Sequence, residues 1–321
     1  MFNKSYNNII LNNEIPWTEK YRPVILDDIV GQENIKKSLN KLLETQNMPH
    51  LLFYGKPGTG KTSAILSIAK KIYGKELMKD RVIELNASQE RGIKVVREKI
   101  KSFASTSVSQ DKDAPPYKII ILDEADTITN DAQTALRRSM ETYSSITRFC
   151  IICNYVTRII DPITSRCAMY KFDSIEENDF IKKLEYICEK ENIEYTERCL
   201  KFIYKISEGD LRKGISLLQY CSILSNKKIT KEDLLIVSGE LDDKLIYNFL
   251  NSKEFSFESI QIFINGLLHQ GNSSDSIIAS LIRNLKKTNN LNEITKANIG
   301  ISISEANKKM CNGSSEYLNL L

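Results

Sequence analysis

No stretch of this sequence approaches 18 consecutive apolar residues; the runs are short ones such as Ile119-Ile120-Ile121-Leu122, so no segment is expected to span a membrane. Histidine is nearly missing. The two present, His50 and His269, stand too far apart in sequence and context to suggest catalysis. Charge of one sign is not in excess either: 45 lysines and arginines face 41 aspartates and glutamates, a formal net charge of +4. That mild basicity does not by itself mark a nucleic-acid binder. The seven cysteines are odd in number and scattered, which excludes a disulfide framework and fits free thiols in a reducing, cytosolic or nuclear compartment. The polar, Asn-rich start, Met1 to Asn13, lacks the basic-then-apolar order of a secretory signal and reads as a disordered tail. What is present is ordinary for a globular protein, 41% hydrophobic and 27% charged residues, and excludes global disorder and collagen-like repeats. A length of 321 residues predicts two domains, with room for a third.

The first half alternates short apolar runs with helical patterns. Strands are expected at residues 50–54, 81–85, 118–122, 149–153 and, more briefly, 169–172, with a helix from Lys61 to about Tyr73. Strands of that length separated by helices predict an α/β fold with a parallel sheet covered on both faces. After Phe172 nearly everything is compatible with helix. The expected division is a tail over 1–13, an α/β domain over 14–173, and two α-helical domains over 174–240 and 241–321.

Gly55-Lys56-Pro57-Gly58-Thr59-Gly60-Lys61-Thr62 fits the spacing G-x-x-x-x-G-K-[ST] and lies between a strand and a helix, with Ser63 next in the helix. The glycines let successive N–H groups turn toward phosphate oxygens, and the helix N-terminus adds partial positive charge. Lys61 is expected to neutralise the β- and γ-phosphates of ATP, and Thr62 to hold Mg²⁺. The apolar strand ending in Asp123-Glu124 delivers two carboxylates to the same sheet edge, Asp123 for the Mg²⁺ shell and Glu124 to polarise the attacking water. Asn154, after the fourth strand, offers a neutral amide to the γ-phosphate or the water. Arg166, in Ser165-Arg166-Cys167, lies beyond the active edge and is hard to aim at its own nucleotide, so a neighbouring subunit's ATP is its expected target. In Gly209-Asp210-Leu211-Arg212, Asp210 is a candidate N-cap, and Arg212 would approach the phosphates if the helical block folds over the sheet.

With these residues assembled, the chain resembles AAA+ ATPases, and among them the small subunits of the clamp loader replication factor C. Glu19-Lys20-Tyr21-Arg22-Pro23, Leu85-Asn86-Ala87-Ser88, Arg91-Gly92-Ile93, Asp123-Glu124-Ala125-Asp126, Ala135-Leu136-Arg137-Arg138, Ser165-Arg166-Cys167 and Gly209-Asp210-Leu211-Arg212 carry the likeness. The stretches 148–167 and 91–103 most resemble replication factor C subunit 4 of animals. The resemblance implies an AAA+ core, a helical lid and a helical collar. It implies a nuclear heteropentameric ring, made with other replication factor C subunits, that loads a PCNA-like sliding clamp onto primer–template DNA during replication and repair. It casts Asn154 as first sensor, Arg166 as a finger acting in trans and Arg212 as second sensor. It places Tyr21, Arg22, Pro23 and Val30 around adenine, and Asn86 as a restraint on Glu124. Lys56 departs from the family's usual Pro, Gln89 from a frequent acid, and Gly214 from a frequent Ala; this glycine is expected to weaken its helix by about 1 kcal/mol.

In the helix beginning near Gly92, Ile93, Val96, Ile100 and Phe103 form one apolar face, while Lys94, Arg97 and Lys101 form a separate basic one. Such a stripe suits a phosphate backbone without reading bases; on an isolated helix the favoured reading is a solvated basic face, and the resemblance reverses that toward DNA. Arg137 is a further candidate DNA contact from the next helix. Cys150 and Cys153 are three apart in a strand and point to opposite faces, so they cannot converge on one metal. Asp123-Glu124-Ala125-Asp126 also matches DEAD-box helicases, but the all-helical second half offers no second RecA-like domain. One alternative stays open: an architectural ring subunit that binds nucleotide, hydrolyses little and serves to present Arg166 to its neighbour.

Overall fold

The apolar runs build one five-stranded sheet: β1 (His50–Gly55), β2 (Val82–Asn86), β3 (Lys118–Asp123), β4 (Thr147–Cys153) and β5 (Cys167–Phe172). All neighbours pair in parallel, in the order β2-β3-β4-β1-β5. This computed structural model describes residues 15–45, 47–87, 93–106, 114–225, 227–251, 256–287 and 291–321. The tail expected over 1–13 lies outside them, as do residues 107–113 of the Ser/Asp-rich loop before β3 and the side chains of residues 93–97.

Strand alternation divides the core between the two sheet faces. Leu51, Phe53, Ile119, Ile121, Cys150 and Ile152 pack on one side with Leu39 of α2 (Glu33–Thr45) and Ile65 and Ile68 of α3 (Lys61–Arg81). Leu52, Ile120, Leu122, Phe149, Ile151 and Cys153 pack on the other, with Ile100 of α4 (Ile93–Ser105) and Leu136 and Met140 of α5 (Asn130–Thr142). Cys150 and Cys153 thus belong to opposite faces. A sheet buried on both sides explains why its strands read as continuous apolar runs. Two elements flank this core: α1 (Trp17–Lys20) before α2, and α6 (Asp161–Thr164) before β5.

β4 and β5 each begin two residues before the expected strand, and the boundaries around residue 81 differ more. The helix after the phosphate loop runs on to Arg81 across a break at Gly74, whose φ of 66° and ψ of −171° are not helical. Arg81 therefore ends a helix where a strand start was expected. It is buried, and its guanidinium donates to Pro115 O at 3.3 Å.

The chain divides into two compact units, Met1–Ser222 and Ile223–Leu321. In the first unit the sheet is followed by α7 (Glu177–Glu191), α8 (Glu197–Ser207) and all but the last two residues of α9 (Leu211–Leu224). The second is helical in its described residues: α10 (Lys231–Ser238), α11 (Asp243–Leu250), α12 (Phe257–His269), α13 (Ser274–Lys287), α14 (Glu293–Cys311) and α15 (Glu316–Leu320). Leu241, Ile246, Leu267 and Ile277 form its core. Residues 223–240, assigned to the lid from sequence, cluster with the second unit. Among the described residues no helix is long and apolar enough to cross a membrane.

Candidate nucleotide-binding site

The parallel order brings the ends of β1, β4 and β3 side by side at one edge of the sheet, each about 5 Å from the next. The phosphate loop leaves β1. Gly55, at φ 142°, passes so close to β5 that a Cβ there would lie 2.1 Å from Phe172 O. Gly60 is left-handed and caps α3, aiming the helix N-terminus at the loop's interior. Lys61 is buried, and its ammonium donates to Gly55 O at 2.8 Å, Lys56 O at 2.7 Å and Asn154 Oδ1 at 3.1 Å. Burial pushes its pKa down from the usual lysine value, opposed by the nearby Asp123 carboxylate. Lys56 keeps the loop's geometry where Pro is usual: its carbonyl accepts from Lys61 and from Thr59 Oγ1 at 2.9 Å, and its side chain is exposed.

Thr62 Oγ1 donates to Asp123 Oδ2 at 2.7 Å. Asp123 Oδ1 accepts the Glu124 N–H at 2.8 Å, and Glu124 itself is left-handed, at φ 55° and ψ 37°. A non-glycine residue in that region stores strain. This left-handed conformation turns the chain out of the β3 direction where the strand ends. Asn86 ends β2 directly opposite Asp123. Asp126 Oδ2 accepts the N–H groups of Asn154 and Tyr155, both at 3.3 Å, so the turn after β3 fixes the turn after β4. Cys153, beneath Lys61 at the end of β4, is held neutral: burial pushes its thiol up to about 12.

Beside the loop runs a cleft lined by Tyr21, Arg22, Pro23, Val30 and Ser63, by Gly58 to Gly60, and from the helical side by Lys183 and Arg212. Tyr21 donates to Glu191 Oε1 at 2.5 Å, and Lys20 pairs with the same carboxylate at 2.5 Å. Burial and that carboxylate push the Tyr21 phenol well above its usual pKa. The segment that walls the cleft is therefore tied to the end of α7. Asp210 caps α9 by accepting the Lys213 N–H at 3.1 Å, which fixes the first turn carrying Arg212. Arg212 is near enough to oppose the charge on Lys61.

Arg166 sits elsewhere. It immediately precedes β5, whereas the phosphate loop joins the opposite ends of the parallel strands. Six residues of β5 put roughly 20 Å between them. Its guanidinium pairs with Glu141 Oε1 at 2.7 Å, and Arg137 Nε reaches the same oxygen at 3.0 Å. Arg137, named from sequence as a DNA contact, is thus grouped with Arg166. Lys101 is exposed on α4, while the side chains of Lys94 and Arg97 lie outside the described residues. Gln133, buried on α5, accepts the Ile160 N–H at 2.9 Å and donates to Ile128 O at 3.1 Å and Arg158 O at 2.9 Å, joining the turns after β3 and β4.

Residues 51–173 match the family of ATPases associated with various cellular activities, AAA. Residues 182–223 match an AAA+ lid domain described as RCF1/5-like, and 241–321 the replication factor C C-terminal domain. Replication factor C subunit 2 of Saccharomyces cerevisiae is 43% identical over 319 residues, covering 95% of this chain and 90% of its own. The chain belongs to the replication factor C family of AAA+ ATPases. Subunit 4 of Homo sapiens is 42% identical, covering 96% of this chain and 86% of its own; an archaeal replication factor C small subunit, from Aeropyrum pernix, is 50% identical over 70% of this chain and 68% of its own. The Thermotoga maritima RuvB Holliday junction branch migration motor shares the fold, with a TM-score of 0.53 at 18% identity over 72% of this chain and 80% of its own. Within the replication factor C family, this chain is an ATPase subunit of the clamp-loader type.

Asp126, Glu191 and Lys183, with Gln133 and Glu141, have no role in the sequence reading. Asp126 stood inside a quoted motif without a role. Glu191 and Lys183 are ordinary acid and base on an amphipathic helix, with nothing in their spacing to mark them.

Proposed function

We propose that this chain binds ATP with Mg²⁺ and hydrolyses it as one subunit of a nuclear heteropentameric replication factor C ring that loads a sliding clamp onto primer–template DNA. The observation that carries the reading is the convergence of Lys61, Thr62, Asp123 and Asn154 at one sheet edge, beneath a helix N-terminus and beside Glu124. Lys61 exchanges its loop carbonyls for phosphate oxygens when nucleotide binds. A hydroxyl and a carboxylate oxygen 2.7 Å apart are the hard donors a small divalent cation takes; Mg²⁺ held there supplies charge neutralisation for the phosphates. Glu124 accepts a proton from the attacking water, and Asn154 orients that water or the γ-phosphate. Tyr21, Arg22, Pro23 and Val30 wall the base side, and Arg212 closes the phosphate side. The distance of Arg166 from its own loop supports a role in trans, beside a neighbour's ATP, with Arg137 on the same surface. Lys101, with Lys94 and Arg97, follows the DNA backbone. The intact set Lys61, Asp123 and Glu124 supports hydrolysis over the purely architectural alternative.

The test is a ring reconstituted with its partner subunits. Its native mass must correspond to five subunits, and primed DNA must raise ATP turnover. Reversing Lys94, Arg97 and Lys101 to Glu must weaken that stimulation; stimulation that persists with its usual salt dependence removes the stripe from the reading.

A further inference from the structure

Beyond Lys61 and Arg212, two further cations line the nucleotide cleft, Arg22 and Lys183, and the second comes from α7. The cleft beside the phosphate loop continues into an outer pocket between residues 20–33 and α7. Tyr21, Arg22, Pro23, Val30 and Lys183 line both spaces, whereas Gly58 to Gly60 and Arg212 line only the inner one. Lys183 therefore stands toward the end of the cleft remote from the phosphate loop.

The cations around the outer pocket differ in one respect. Lys20 pairs with Glu191 at 2.5 Å, Arg22 with Glu19 at 3.2 Å and Lys182 with Asp179 at 3.7 Å. Among the described residues Lys183 has no carboxylate within ion-pairing distance. Its ammonium lies 5.2 Å from the centre of the Tyr186 ring, and Asp28 acts on it only as a more distant charge. Half-burial without a close counter-ion pushes its pKa down. A desolvated ammonium has three hydrogen-bond donors and no acceptor, so it is stabilised by lone pairs brought into the cleft.

We infer that Lys183 is a nucleotide-binding residue that donates from α7 to a lone pair at the nucleoside end of ATP, on the base or the ribose, and not to the γ-phosphate. This rests on the nucleotide reading above and extends it. The contact makes the helical side of the cleft responsive to the part of the ligand that ATP and ADP share. Arg212, in contrast, approaches the charge that distinguishes them.

Titration of the full-length chain with fluorescently labelled ATP and ADP tests this. Lys183→Met keeps the aliphatic stem and removes the donors; Lys183→Arg restores a cation with donors. A charge-assisted hydrogen bond at a half-solvated site is worth about tenfold in Kd. The expected result is an equal loss of about tenfold for ATP and ADP in Lys183→Met, largely recovered in Lys183→Arg. Unchanged affinity in Lys183→Met overturns the inference, and so does a loss confined to ATP, which would mean a γ-phosphate contact. Thermal melting without nucleotide shows whether the variant folds; for a variant with a lowered midpoint, the ratio of the ATP and ADP affinities relative to wild type still decides between nucleoside and γ-phosphate contact. If the unaltered chain binds neither nucleotide, the nucleotide reading itself fails, an outcome distinct from failure of the Lys183 contact alone.

Discussion

Asp210 lies against Gly58: a Cβ on this glycine of the phosphate loop would stand 1.8 Å from Asp210 Oδ1. The same oxygen accepts the Lys213 N–H, so it cannot move aside without uncapping the helix that carries Arg212. Gly58 also has φ 69°, a region that costs L-residues about 1–2 kcal/mol. The loop thus packs directly against the residue that caps the lid helix. Gly58→Ala is expected to weaken ATP binding by at least about tenfold, the equivalent of about 1.4 kcal/mol, read by nucleotide titration. Adding Asp210→Ala should recover the part due to the clash and leave the part due to φ. Wild-type affinity in Gly58→Ala alone would show that the contact is dispensable.

Glu124 holds a strained left-handed backbone beside Asp123, which points to a role for its side chain in chemistry more than in packing. Glu124→Gln retains the shape and removes the proton acceptor. Turnover of the assembled ring should fall by about 10² to 10⁴ at this subunit's site, with ATP still bound. A ring of Glu124→Gln subunit that turns over ATP as before favours the architectural reading.

For Arg166 the expectation concerns another subunit's site. Arg166→Ala should leave ATP affinity of the isolated chain unchanged, because roughly 20 Å of β5 separates the residue from its own loop. In the ring it should slow hydrolysis at the adjacent site, by up to the 10³ to 10⁵ that such fingers contribute. A lost affinity in the isolated chain would place Arg166 in cis and refute the geometry.

His50 gives the chain a defined acid sensitivity. Its Nδ1 accepts the Phe149 N–H at 3.1 Å, and burial, with Arg148 nearby, pushes its pKa from 6.5 down to about 4. The folded state therefore keeps the ring neutral where the unfolded chain would protonate it. Stability is full above pH 6.5 and declines as pH falls from there toward 4. The loss is on the order of 1–2 kcal/mol, less than the full shift implies because the ring is only partly buried. Urea midpoints at pH 7 and pH 5 measure it, and His50→Asn, which keeps an acceptor, should flatten the difference. An equal pH dependence in His50→Asn would assign the sensitivity to other groups.

The sheet was readable because its strands are buried on both faces, so each appears as an apolar run that ends in turn residues. Lys61, Thr62, Asp123 and Glu124 were readable because fixed spacing to a strand end determines where their side chains arrive. Arg81 misled because it abuts the β-branched run of β2, while its buried guanidinium answers to Pro115, 34 residues away. The tie between Tyr21 and Glu191 spans 170 residues and leaves no local pattern. Lys183 acquires its meaning only from which neighbouring cations already have carboxylates. Long-range pairing, not local propensity, decides these positions.

Gly214 makes the same point in a form that stability measurements can reach. Helix propensity predicts that Gly214→Ala, in the interior of α9, stabilises the protein by about 1 kcal/mol. Tertiary packing reverses the sign. A Cβ at Gly214 would lie 2.4 Å from Phe180 Cζ and 3.1 Å from Cε1. Phe180 is fully buried, with its ring set edge-on to Tyr204 at 5.2 Å, so it has no free space to enter. Overpacking of this kind costs typically about 1–3 kcal/mol, more than the propensity gain. Gly214→Ala should therefore lower the denaturation midpoint, and Gly214→Ala with Phe180→Leu should regain part of the loss as the methyl group fills the vacated space. A raised midpoint in the single variant would mean that α7 and α9 separate at little cost, and that the packing between them does not hold the lid together.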